Sequence, residues 1–250
     1  QLMNNENSYS VILPTLNEAG HINSLIKDIS NNFEKFNIEY EIIIVDDNSI
    51  DGTVEKILEI KNLNIIIHKR KGKKKSLVNS LNEGINLANK DNIIWMDADY
   101  SHPPNYIEQF IKLKNNNLDL IVCSRFLKDS VRYYSNKNLK PIGIDILSFI
   151  LNKICQKILF NDFTDYTSGY ICIKKNLIKD NKLKGYYGDY FINLITNCKV
   201  KDYKILEIPF VEKDRASGQS KTTGSKINFL IKCYFYIYQL FKSLIIKNIN

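Results

Sequence analysis

The acidic pair Asp97-Ala98-Asp99 closes the apolar run Ile93 to Met96, and carboxylates so close together repel unless something neutralises them. Hard oxygen ligands favour Mg²⁺ or Mn²⁺, and such an ion would in turn bridge a diphosphate. The spacing alone is weak, since about one Asp-x-Asp arises by chance in a chain of this composition. The same pair could instead cap a helix beginning near Pro104. Two further polar clusters also follow apolar runs, Pro14-Thr15-Leu16-Asn17-Glu18 and Asp46-Asp47-Asn48-Ser49, the latter continuing into Asp51-Gly52-Thr53. In open α/β sheets ligands sit beyond the carboxyl ends of the strands, so these clusters would share one edge.

Elements that position such residues are legible as alternating patterns. Tyr9 to Leu13, Glu41 to Val45, Asn64 to His68, Ile93 to Met96 and Leu118 to Cys123 read as strands. Glu18 to Lys35, Gly52 to Lys61, Ser76 to Asn89 and Pro104 to Asn115 read as helices, with Pro104 as a first-turn proline. The expected class is α/β, a mostly parallel sheet flanked by helices. Arg125 to Lys140 reads as a polar loop, and Pro141 introduces a long apolar helix to about Phe160. Gly169 to Ile173 and Lys204 to Val211 read as later strands, with a helix around Asp189 to Cys198 between them. Glu212 to Lys226 reads as another loop.

The last segment is amphipathic. On a helix, Asn228, Lys232, Gln239, Lys242 and Ser243 share a polar arc opposite a wide apolar face that includes Tyr234, Ile237, Tyr238 and Phe241. It reads either as a terminal helix docked on the core or as one lying in a membrane interface or on a partner.

Composition sets broader limits. A chain of 250 residues with 44% hydrophobic side chains buries one sizeable core. Lys and Arg number 35 against 27 Asp and Glu, a formal charge of +8 that favours anionic partners. The basic run Lys69 to Lys75 comes without the motifs of a nucleic-acid binder, so nucleic acid is not an expected partner. The five cysteines form no CxxC pair and fit a reducing compartment. No signal peptide is recognisable, and no uncharged apolar run reaches the roughly 20 residues that span a bilayer.

Six strings carry a resemblance in order along the chain. They are Pro14 to Glu18, Val45 to Ser49, Met96-Asp97-Ala98-Asp99-Tyr100-Ser101-His102-Pro103-Pro104, Ser124-Arg125-Phe126, Thr167-Ser168-Gly169-Tyr170 and Glu207-Ile208-Pro209-Phe210. A closing Arg215-Ala216-Ser217-Gly218-Gln219-Ser220-Lys221 fits R-x-x-G-x-S-K. Together they resemble the family 2 glycosyltransferases of GT-A fold, in particular the dolichyl-phosphate (polyprenyl-phosphate) mannosyltransferase group, in its short form without transmembrane helices. The resemblance implies a GT-A domain over residues 9–224, its nucleotide-binding half 9–124 and acceptor-binding half 125–224, followed by the amphipathic helix 225–247.

It further implies a nucleotide-sugar site of Pro14, Leu16, Asn17, Glu18, Asp46, Asp47, Lys73, Asp97, Ala98, Asp99, Arg215 and Lys221. A divalent cation, Mg²⁺ or Mn²⁺, would be held by Asp97, Asp99 and Ser101. Arg125, Lys140 and Ser168 would face an acceptor phosphate, with Arg132 the alternative to Lys140 as second basic residue. Asp99, Arg125, Arg215 and Lys221 would carry catalysis. Two departures stand out: Ser101 where many prokaryotic members carry Gln, and Lys74-Lys75-Ser76-Leu77 where the family has Gly-Leu-Gly.

The implied reaction moves a hexose, mannose first, from GDP-mannose or a UDP-hexose to polyprenyl or dolichyl phosphate with inversion. It would take place at the cytoplasmic membrane face, with the protein peripherally attached or held by a small membrane-anchoring subunit. A phosphate acceptor is already largely anionic, its second pKa being about 6, so it needs no strong base. Alternatives are a saccharide or other lipid hydroxyl acceptor, which needs a carboxylate base such as Asp189 or Asp165, and a catalytically silent subunit. Asp189 also reads as a helix N-terminal carboxylate, and His102 either touches phosphate or packs under Pro103-Pro104.

Overall fold

Side chains that alternate along each strand go to opposite faces of one sheet, and the two faces carry separate cores. Val11, Leu13, Ile42, Ile44, Ile94 and Met96 face one side; Ile12, Ile43, Val45, Ile93 and Trp95 face the other. The computed structural model describes residues 7–72, 74–114, 116–132, 142–179, 182–213 and 226–249.

The elements run β1 (Tyr9–Thr15), α1 (Ile22–Glu34), β2 (Tyr40–Asp46), α2 (Thr53–Leu58), β3 (Ile65–Lys69), α3 (Leu77–Leu87), β4 (Asn92–Trp95), α4 (Tyr106–Lys114) and β5 (Leu120–Ser124). They continue with β6 (Val131–Arg132), α5 (Ile142–Ile158), β7 (Ile171–Lys174), α6 (Lys175–Ile178), α7 (Tyr190–Val200), β8 (Ile205–Pro209), β9 (Val211–Glu212) and α8 (Lys226–Ile249). Seven strands form a sheet in the order β3-β2-β1-β4-β7-β5-β8, parallel except for β7, which runs antiparallel to both neighbours. The chain winds outward from β1 through β2 to β3, then returns to place β4 on the other side of β1. That reversal opens a crevice at the carboxyl ends of β1 and β4, where ligands bind in open α/β sheets.

Several boundaries differ from those expected. The helix read from Pro104 begins at Tyr106, because the carbonyls of Pro103 and Pro104 accept from Tyr106 and Ile107 in a preceding turn. Glu18 likewise lies in a turn that leads into α1. Gly169 has φ +84° and makes the turn before β7 instead of starting the strand. The loop read from Arg125 to Lys140 contains β6, which pairs in parallel with β9; residues 133–140 lie outside the described residues. Ser76 is the N-cap of α3 and accepts from the Asn79 amide at 3.3 Å.

Helix α8 docks on the core, one of the two readings of the terminal segment, but with a different face turned inward. Leu240 is buried in the core, with Tyr236 and Leu244 packed against it. Gln239 and Ser243, expected on the solvent side, turn inward, and Gln239 Nε2 and Ser243 Oγ find no hydrogen-bond partner among the described residues. Tyr234, Ile237, Tyr238, Phe241 and Ile245 face outward, with Phe241 63% exposed. The reason lies in the contact with the loop before α7, where Tyr236 sits against Gly188 and Phe235 stacks on Tyr186 at 4.0 Å. Among the described residues no helix is long and apolar enough to cross a membrane.

Candidate active site

The loops after β1 and β2 are locked together by hydrogen bonds. Asn17, in the left-handed region at φ 57°, accepts from the Ile50 amide (2.9 Å) and donates its own amide to Ser49 Oγ (2.8 Å). The amides of Glu18 and Ala19 donate to Thr53 Oγ1 and Asp51 Oδ2. Pro14 and Leu16 are half-buried at the rim and Asn17 is exposed.

Asp46 and Asp47 are both buried, and each is engaged by protein. Asp46 accepts from Thr15 Oγ1 (3.0 Å) and from the amide and hydroxyl of Ser49. Asp47 accepts from Arg70 Nη1 (2.5 Å) and the Ser76 amide (2.6 Å). Arg70, 1% exposed, also pairs with Glu83 at 3.1 Å, and Glu83 reaches His68 at 2.6 Å. These two aspartates fix the wall of the crevice through their contacts with Thr15, Ser49, Arg70 and Ser76. Arg70 was not singled out from the sequence, since within a run of lysines nothing marks which cation turns inward.

Asp97 and Asp99 emerge from β4 beside this wall. His102 Nδ1 accepts the Asp97 amide at 2.9 Å, so its ring hydrogen sits on Nε2 when the imidazole is neutral. The ring stacks on Tyr170 at 4.9 Å, and Tyr170 donates its hydroxyl to Pro103 O. His102 therefore packs beneath the motif and holds Asp97 in place. His21, also missed from the sequence, bridges Glu18 Oε2 (3.2 Å) and Ala98 O (2.9 Å), tying the first polar cluster to the third. Its only local sign is the spacing Glu18-x-x-His21.

The Asp99 carboxylate, 4% exposed as a residue, accepts from the amide (3.0 Å) and hydroxyl (2.6 Å) of Ser101. Tyr100, at φ 65°, makes the tight turn between them and donates to Asp28 on α1. Asp97 is half-exposed, and no described residue donates a hydrogen bond to its carboxylate. Among the described residues no cluster of three His, Cys, Asp or Glu could hold a metal. A cation here would take Asp97 and Asp99 as its two carboxylate ligands and its remaining oxygens from elsewhere, as Mg²⁺ commonly does with substrate phosphates. The uncommitted Asp97 carboxylate fits that donor set.

At the far end of the crevice, Arg125 follows β5 and pairs with the fully buried Asp165 at 2.8 Å. Burial works against the charge of each, but their mutual attraction prevails, holding the Asp165 carboxyl below its ordinary range and the Arg125 guanidinium firmly protonated. Ser168 donates its hydroxyl to Cys123 O (2.6 Å) and accepts from the Tyr170 amide. Asp189 is buried and accepts from the amides of Tyr186 and Tyr187 instead of capping α7. Neither Asp165 nor Asp189 is thus presented as a base. Lys73, Lys140, Arg215 and Lys221 lie outside the described residues, as does the side chain of Arg132.

Residues 10–181 match the model of glycosyl transferase family 2. The chain belongs to that family. The chain is 31% identical over 237 residues to a dolichol-phosphate mannosyltransferase of Pyrococcus furiosus, covering 93% of the present chain and 63% of that protein. It is 26% identical to a dolichol-phosphate mannosyltransferase of Mycosarcoma maydis, covering 87% of this chain and 74% of the other. The chain thus spans somewhat less than two thirds of the Pyrococcus protein. Among solved structures it resembles glucosyl-3-phosphoglycerate synthase of Mycobacterium tuberculosis in complex with Mn²⁺, UDP and glucosyl-3-phosphoglycerate. The TM-score is 0.66 at 17% identity, over 95% of this chain and 80% of that one, a likeness of fold.

Proposed function

We propose that this glycosyltransferase moves a hexose, mannose first, from GDP-mannose or a UDP-hexose to polyprenyl or dolichyl phosphate, giving a lipid-phosphate sugar with inversion. The observation that carries this reading is the character of the acceptor end. A fixed cation, Arg125, stands there, while the nearby carboxylates Asp165 and Asp189 are spent on protein partners. A sugar hydroxyl acceptor requires a base; a phosphate monoester, with its second pKa of about 6, arrives as the nucleophile. The names of the two relatives, both dolichol-phosphate mannosyltransferases, point the same way.

In this reading residues 9–224 form the transferase domain, with 9–124 binding nucleotide and 125–224 binding acceptor. Asp97 and Asp99, with Ser101 supporting Asp99, would hold Mg²⁺ or Mn²⁺, and such an ion would supply charge stabilisation for a leaving nucleoside diphosphate. Pro14, Leu16, Asn17 and Glu18 line the nucleotide end with Asp46, Asp47, Ala98 and Lys73. Arg215 and Lys221 meet the donor phosphates, while Arg125, Lys140 and Ser168 meet the acceptor. Arg125 screens the repulsion between two anions and aligns the attacking oxygen.

The helix 225–247 supplies the contact with the cytoplasmic membrane face, directly or through a small anchoring subunit. Support comes from its orientation: burying Gln239 and Ser243 while exposing Phe241 and Ile237 costs free energy in water. That cost is offset where the outer face meets an apolar phase.

The deciding experiment incubates the protein with GDP-mannose, UDP-glucose or UDP-GlcNAc, Mn²⁺ and a short polyprenyl phosphate. A lipid-linked sugar is the expected product. Glycosylation of a saccharide acceptor with no lipid-linked product would overturn the reading.

A further inference from the structure

Arg125 is committed on most of its donors before a ligand arrives. Its Nε and Nη2 close a two-pronged contact on Asp165 at 2.8 Å each, and its amide donates to the same carboxylate at 3.0 Å. Nη2 also meets the carbonyl and hydroxyl of Thr167, both at 2.7 Å. The two hydrogens on Nη1 bond no described residue, and 15% of the side chain remains exposed.

Asp165 is braced in turn from the outer strand β8. Glu207 accepts the Asp165 amide (3.0 Å) together with the amide and hydroxyl of Thr164 (2.7 Å each). Asn152 of α5 closes the assembly, donating to Thr167 Oγ1 and accepting the Tyr166 amide. A guanidinium whose Nε edge is locked onto a buried carboxylate cannot turn that edge towards a second anion.

We propose that Asp165, braced by Glu207, is a positioning residue that aims Nη1 of Arg125 at the acceptor, so Arg125 engages the anion end-on instead of as a two-pronged fork. The inference rests on the reading of the acceptor as a lipid phosphate. Glu207 acts one step further back, holding the 164–165 turn rather than the arginine itself.

The test is a double-mutant cycle on purified enzyme, with the KM of each substrate measured separately. Asp165→Asn is expected to raise the acceptor KM about 10- to 100-fold while the donor KM stays within about twofold. In an Arg125→Met background the same substitution should add little further loss, because the group it aims is gone. Equal damage to both substrates, or full additivity with Arg125→Met, would overturn the proposal. Asp165→Asn leaves a buried guanidinium short of a counter-charge and can fail to fold. Glu207→Gln then serves, since it keeps the ion pair and an oxygen for the Asp165 amide while loosening the brace on the 164–165 turn. A rise of several-fold in acceptor KM at unchanged Tm supports aiming, and an unchanged acceptor KM overturns it. Wild-type product is identified first: absence of lipid-linked sugar rejects the acceptor reading alone, and the same cycle on whichever acceptor is glycosylated then decides the aiming role.

Discussion

Asp97 and Asp99 sit two residues apart yet live in different surroundings, one half-exposed and without a hydrogen bond to its carboxylate among the described residues, the other buried and steadied by Ser101. Asp97→Asn and Asp99→Asn are each expected to lower kcat by about 100- to 1,000-fold, as loss of a group stabilising developing charge does. Asp189→Asn, which keeps an oxygen for the Tyr186 and Tyr187 amides, should retain turnover within about tenfold; the comparison is read from initial rates of product formation. Asp165 makes a separate claim on stability. Its folded pKa lies below the unfolded value, so its contribution is whole above about pH 3.9 and fades as the pH falls through the folded value. Urea unfolding followed from neutral to acid pH should therefore show a shallower acid limb in Asp165→Asn. The acidic pair was legible because it closes an apolar strand, at the edge where ligands bind in open α/β sheets. The partners of Arg125, Arg70 and Asp97 were not, because Asp165, Asp47 and His102 meet them only once distant segments or a tight turn bring them within hydrogen-bond reach.

Among the elements, α3 approaches β1 so closely that a Cβ at Gly84 would lie 2.5 Å from Ile12 Cγ2. Gly84→Ala should destabilise by about 1–3 kcal/mol through overpacking, seen as a lower urea midpoint with little change in KM. Gly185 is tighter in kind, since a Cβ there would lie 2.7 Å from the backbone nitrogen of Tyr190, which cannot swing aside. The strands were readable from period-two apolar runs, whereas the reversed direction of β7 was not. A four-residue apolar strand carries no mark of polarity; its direction follows from the turn at Gly169 and the pairing it finds between β4 and β5.

At the scale of the molecule, the proposed membrane contact would draw on both the +8 charge and the outward apolar face of α8. The protein should float with vesicles containing anionic lipid and much less with neutral ones, and raised salt should weaken the association. Ile237→Ser with Phe241→Ser should reduce flotation several-fold without lowering Tm, because both side chains already face outward; unchanged flotation would exclude this face. The α/β class, the strand-end placement of the acidic clusters and the family strings are local properties, carried by periodicity and short spacing. Which carboxylates remain free for a ligand, which face of α8 turns inward and which edge of Arg125 meets an anion depend on contacts between residues far apart in the chain. Those contacts are settled by competition for buried partners, and that competition exists only once the sheet has closed over its two cores.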